Sequence, residues 1–106
     1  VKWAERLGFE TVFILDDGET YGKGLADLFE AFAFNSRLTI IGHQSIDKTA
    51  ADFRDVLTAI QQQAPNLDLI YFGGYSANGA PLLVRQMKEL NMAARFMGPD
   101  GIVDSY

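Results

Sequence analysis

Several short stretches bring reactive residue types to the ends of apolar runs. "DDGET" places Asp16 and Asp17 directly after "TVFIL". Adjacent acids there can hold Mg²⁺ in a phosphoryl-accepting receiver domain or supply the nucleophile of a phosphatase. A receiver needs a further Asp closing its third strand, where this sequence has "YFGGY". A phosphatase of the haloacid dehalogenase type needs Asp-x-Asp followed by an apolar-Thr motif, which is absent. A capping or turn role suits the pair better. "GETYGKG" (18–24) fits neither the G-x-G-x-x-G nor the G-x-x-x-x-G-K-[ST] frame. Its Gly22 and Gly24 are expected to let the loop bend into a helix, with Tyr21 projecting from it.

"GGYSANG" (73–79) presents Tyr75 and Ser76 after two glycines. Ser76 is out of frame for a G-x-S-x-G nucleophile elbow. The single histidine, His43, lies on a strand segment far from that loop, so a Ser-His-Asp triad is not expected. His43 reads as a hydrogen-bonded structural residue. In "FMGPDG" (96–101) a carboxylate, Asp100, stands between proline and glycine. Pro-Asp-Gly favours a turn. The functional alternative is an acid held in place to meet a cation. Two tyrosines and one acid, with no nucleophile, base or metal cluster, suit binding better than turnover. The expectation is therefore no catalytic residue, no metal and no cofactor.

Those residues need elements to position them, and two periods alternate along the chain. "TVFIL" (11–15) is a buried strand by its apolar, β-branched run. Leu25, Leu28, Phe29 and Phe32 repeat at helical spacing. Residues 37–46 return to strand character. Phe53, Val56, Leu57 and Ile60 mark a second helix, with Asp47 or Thr49 as its cap. Residues 67–72 form the third strand. Leu82, Leu83, Met87 and Leu90 mark a third helical face closed by Asn91. Residues 94–97 are the last, short strand, and residues 2–7 look like the end of a helix entering the first.

Strands alternating with helices imply βαβ units on a parallel sheet. Right-handed crossovers leave few topologies. The expected fold is α/β, a three-layer, doubly wound parallel sheet in one domain spanning 1–106. Strand 2 then lies on one side of strand 1, with strands 3 and 4 on the other. A ligand crevice opens at the carboxyl ends of strands 1 and 3, bordered by loops 16–22, 73–79 and 98–101.

The chain has 106 residues, 48% of them hydrophobic, and a net charge of −5. An acidic chain without a basic patch is a poor partner for nucleic acid. No apolar run approaches the roughly 20 residues that span a bilayer. Without cysteine there is no disulfide and no thiolate chemistry.

"DDGETYGKGLADLFE", "DFRDVLTAIQQQAPNLDLIYFGGY" and "LVRQMKELNMAARFMGPDG", in that order, resemble the substrate-binding proteins of branched-chain amino-acid ABC transporters, which are type I periplasmic binding proteins. The resemblance runs from about residue 8 onward. It implies a Rossmann-like lobe, most of the second of two, and hence a fragment whose first lobe is missing from the chain. It also implies a periplasmic or extracytoplasmic protein that captures an amino acid such as leucine, isoleucine or valine, or a related ligand, for a membrane permease. A sensor or regulator domain of the same fold, taking amides or aromatic acids, is the alternative. A small α/β hydrolase or phosphoryl-transfer domain is a more remote one. Residue by residue, the resemblance makes Tyr21 and Tyr75 ligand-lining and gives Asp100 the ligand's ammonium group. The family commonly has Glu at that last position. The shorter Asp would shift the ammonium or admit a water.

Overall fold

A computed structural model of the chain describes residues 8–36, 38–47, 49–50, 52–74, 79–98 and, for the backbone, 101–103. Strand β1 (Thr11–Asp16) is buried from Val12 onward. Such a run needs cover on both faces, and the chain provides it. Helix α1 (Thr20–Phe34) leads to β2 (Thr39–Ser45), α2 (Arg54–Gln63) to β3 (Leu69–Gly73), and α3 (Ala80–Glu89) to β4 (Arg95–Gly98). The sheet order is β2-β1-β3-β4-β5. The first four strands are parallel, and β5 (Gly101–Val103) pairs antiparallel with β4. This is the doubly wound order expected, with β2 alone on one side of β1.

Alternation along the strands divides the core into two layers. Val12, Ile14, Leu69, Tyr71 and Met97 face α1. Phe13, Leu15, Ile70, Phe72 and Phe96 face α2 and α3, which contribute Leu57, Ile60, Leu83 and Met87.

Four details differ from the sequence expectation. Helix α1 does not bury Leu25, Leu28, Phe29 and Phe32 as a stripe. Its buried residues are Gly22, Ala26, Phe29 and Ala33, and Leu28 and Phe32 are exposed. Small residues win because they let the helix lie close to the sheet: a Cβ on Gly73 would stand 2.9 Å from that of Ala26. Neither Asp47 nor Thr49 caps α2. Asp47 Oδ1 accepts from the Thr49 backbone N–H and hydroxyl, at 2.9 and 2.6 Å. The α2 N-cap is Phe53, whose N–H donates to the buried Gln86 Oε1 at 2.7 Å. The strand at 94–97 is not the last, since Gly98 pairs with Gly101 at the start of β5. A Cβ on Gly24 would meet nothing within 4 Å, so Gly22 alone of the two glycines is sterically required. The helix end expected at 2–7 lies outside the described residues. Asn91 closes α3 as expected, in the left-handed conformation with φ 55°.

Between Val12 and Phe13 the β1/β2 register shifts by one residue, so Val12 pairs with Ile40 and Phe13 with Gly42. A bulge re-aims every side chain beyond it. Gly42 fits there because a Cβ would come 2.7 Å from the Phe13 ring. The shift sets His43 beside Ile14, on the α1 face.

Candidate functional site

Parallel pairing brings the carboxyl ends of β1, β3 and β4 to one edge, with Asp16 level with Gly73. Two short turns leave β1 there. Asp16 Oδ1 accepts the Gly18 N–H at 2.8 Å, and Asp17 Oδ1 accepts the Glu19 N–H at 3.0 Å. Gly18 takes φ 78°, a left-handed conformation that suits glycine. The backbone joins neighbouring strand ends as well: Asp17 N–H donates to the Gly73 carbonyl and Ile46 N–H to that of Asp16.

Asp17 is buried in a cradle made by missing side chains. A Cβ on Gly22 would lie 2.0 Å from Asp17 Oδ1, and one on Gly74 2.7 Å from its Oδ2. A Cβ on Gly73 would meet the Gly22 carbonyl at 2.6 Å. The three glycines thus let the first turn of α1 rest against the end of β3 with a carboxylate between them. Negative charge at a helix N-terminus is favoured by the aligned peptide dipoles. Glu19, the N-cap residue, is extended and makes no side-chain cap. The first N–H groups of a helix have no partner within it, and the Asp17 carboxylate stands at this end of α1.

Tyr21 lies in the first helical turn rather than in the loop, and is 53% exposed. Tyr71 on β3 is buried, and its ring stacks on Phe29 with centroids 4.0 Å apart. Burial, and then the neighbouring Tyr21, push the Tyr71 hydroxyl above its ordinary value. Tyr75 and Asp100, the other two sequence-derived positions, lie outside the described residues. Gly74, which precedes Tyr75, is at the edge, and so is Gly98, two positions before Asp100.

Sequence reasoning gave Asp16 and Asp17 a turn role, which they fill, but missed the glycine cradle around Asp17. The paired "GG" after a strand was the available sign of close backbone approach. Among the described residues, this edge brings together the exposed ring of Tyr21 and the buried carboxylates of Asp16 and Asp17.

No family model matches the chain. It is 36% identical over 97 residues to an "Amino acid binding protein" of Pseudomonas aeruginosa, covering 92% of the chain and 25% of that protein. It is 37% identical over 91 residues to the Leu/Ile/Val-binding protein BraC3 of Rhizobium johnstonii, covering 86% and 24%. An ABC transporter substrate-binding protein of Desulfitobacterium hafniense, solved in complex with Leu, superposes with a TM-score of 0.77 at 20% identity, over 92% of this chain and 28% of that one. That likeness establishes the fold. The chain spans about a quarter of the length of the relatives it matches. The resemblance read from the sequence is borne out: over most of its length the chain is similar to one segment of amino-acid-binding proteins, Leu/Ile/Val-binding proteins among them.

Proposed function

We propose, from that similarity, that the chain is one lobe of a two-lobed, extracytoplasmic solute-binding protein that delivers an amino acid, branched-chain or related, to the permease of an ABC transporter. The observation that carries the reading is the 36–37% identity to amino-acid-binding proteins over 86–92% of the chain. It is a capture function without turnover. Tyr21 and Tyr75 line the ligand, and Asp100 takes its ammonium group. The common edge of β1, β3 and β4 supports this, because ligands of open α/β sheets sit at the carboxyl ends of the strands.

A desolvated ammonium needs a fixed carboxylate. Asp100→Asn in the full-length protein keeps the size of the side chain and removes its charge. Losing one partner of a buried charge pair, about 2–5 kcal/mol, weakens leucine binding roughly 30- to several-thousand-fold. Titration calorimetry with leucine, isoleucine, valine, alanine and threonine measures it. An Asn variant within about twofold of the parent for the cognate ligand reduces Asp100 to a turn residue, since a resolvable loss of charge pairing exceeds that factor. The 106-residue chain alone is expected to bind leucine very weakly, because capture closes two lobes on the ligand. Micromolar binding by the single lobe contradicts the two-lobe reading.

A further inference from the structure

We infer that His43 is a positioning residue of the proposed ligand edge: held between Asp16 and Glu30, its imidazolium fixes the β1–α1 turn that leads to Tyr21. The assignment of that turn to a ligand rests on the function proposed above; the strut itself rests on geometry alone.

His43 Nε2 lies 2.8 Å from Asp16 Oδ2, and Nδ1 lies 2.7 Å from Glu30 Oε1. A neutral imidazole donates from one nitrogen and presents a lone pair at the other. Here each nitrogen meets a carboxylate oxygen, so the doubly protonated ring is the form that fits. Asp16 carries the coupling. One of its oxygens faces the ring while the other accepts the Gly18 N–H at 2.8 Å, two residues before α1 begins. Glu30 ties the same ring to the middle of that helix. The ring therefore joins β2, the end of β1 and α1, and it reaches them only because the bulge at Val12/Phe13 turns His43 to this face.

The charged groups facing the ring are Asp16 from β1 and, from α1, Glu30, Asp27, with Oδ1 at 4.0 Å, and Lys23. Ser45 of β2 completes the open cleft they line. Burial by itself lowers the ring's affinity for its proton, but the hydrogen bonds and charges of Glu30 and Asp16 outweigh it and raise the pKa above 6.5. For Asp16, burial pushes upward, and the hydrogen bonds of Ser45, Gly18 and His43 outweigh it to hold the carboxyl below 3.8. A raised histidine stabilises the fold fully below 6.5 and loses that contribution as pH rises through its folded value. A depressed aspartate contributes above 3.8 and loses it as pH falls through its folded value. The strut is intact between those two titrations.

The test uses the full-length protein, with His43 assigned by comparison with H43Q. Nitrogen-15 spectra of the imidazole are expected to show the doubly protonated ring in the majority at pH 6.5, the ordinary midpoint of the group. The Gly18 and Tyr21 amide resonances move with the same midpoint as the ring. Leucine affinity falls about three- to tenfold as pH rises through that midpoint, the size of one weakened hydrogen bond. E30Q lowers the ring midpoint and the amide midpoint together, and H43Q abolishes the amide titration and flattens the affinity profile. A ring mostly singly protonated at pH 6.5 overturns the inference, and so do Gly18 and Tyr21 amides that titrate unchanged in H43Q. Affinity independent of pH while ring and amides co-titrate overturns the positioning role. Failure to bind any of the five amino acids at any pH, with co-titration intact, removes the proposed function and leaves the strut standing.

Discussion

The two faces of the sheet are built by different rules. The face under α2 and α3 is filled by large apolar side chains, with Phe72, Leu57, Ile60, Ile70 and Leu83 among the most buried residues of the protein. Its buried polar side chain, Gln86, is spent on the start of α2, accepting from the Phe53 backbone N–H and donating to the Asp52 side chain at Oδ1, 3.0 Å away. The face under α1 is thinner. The helix approaches on Gly22, Ala26 and Ala33, with Phe29 as its one large buried side chain, and leaves Leu28 and Phe32 outside. Two buried aspartates, Asp16 and Asp17, stand at its carboxyl end. Stability scales with the apolar area removed from water, whereas positioning needs close contact and directed hydrogen bonds. The comparison assigns stability chiefly to the first face and placement of the proposed ligand edge to the second.

The largest effect expected of the core lies under α2. Leu57→Ala empties a fully buried position and should cost about 2–5 kcal/mol, read as a lower urea midpoint in the full-length protein with leucine affinity little changed. Gly22→Ala comes next. The new methyl collides with Asp17 and the Gly73 carbonyl, an overpacking worth about 1–3 kcal/mol, and here leucine affinity should fall along with stability because the first turn of α1 moves. If Leu57→Ala damaged affinity as much as Gly22→Ala does, the division between the faces would be lost.

The pH profile sharpens the comparison further. Stability on the α1 face should decline as pH rises through the raised titration of His43, and as it falls below 3.8 through that of Asp16. Urea midpoints across pH for the parent and H43Q check this: the variant loses the His43 contribution to the alkaline limb and keeps only the part of the acid limb that Ser45 and Gly18 hold through Asp16. The smallest effect belongs to the exposed Arg54–Glu89 pair, 3.0 Å apart, which joins α2 to α3. Arg54→Ala should cost no more than about 1 kcal/mol, as surface ion pairs do, and should diminish further in salt. A larger loss would show that the α2/α3 face depends on its surface charges as well as its apolar interior.

Much of this architecture was legible from residue order. Continuous apolar runs at β1 and β3 announced strands covered on both faces, and their alternation with helical spacing led to the parallel, doubly wound sheet. The start of α2 was misplaced, because its first N–H groups are met by Asp52, which accepts from Arg54 at 2.9 Å, and by Gln86, 33 positions from Phe53, rather than by Asp47 or Thr49. Strand β5 was missed because three residues carry too little periodicity to separate them from the turn before them. Tyr21 was singled out by type and motif, and its place in a helical turn emerged only with the fold.

Local order by itself determined the four parallel strands, the three helices between them and their sequence along the sheet, because burial imposes a period that each segment must carry in its own residues. Which side of α1 is buried, and which face His43 occupies, were decided by tertiary structure. By hydropathy alone α1 should turn Leu28 and Phe32 inward; it turns Gly22, Ala26 and Ala33 inward because close approach to β3 leaves no room for larger side chains. By uninterrupted alternation from Ile40 opposite Val12, His43 would pair with Leu15 and face the apolar layer under α2 and α3. One extra residue in β2 pairs it with Ile14 instead and delivers it to Asp16 and Glu30. Neither outcome is written in a local pattern, since each depends on the shape of a partner brought up from elsewhere in the chain.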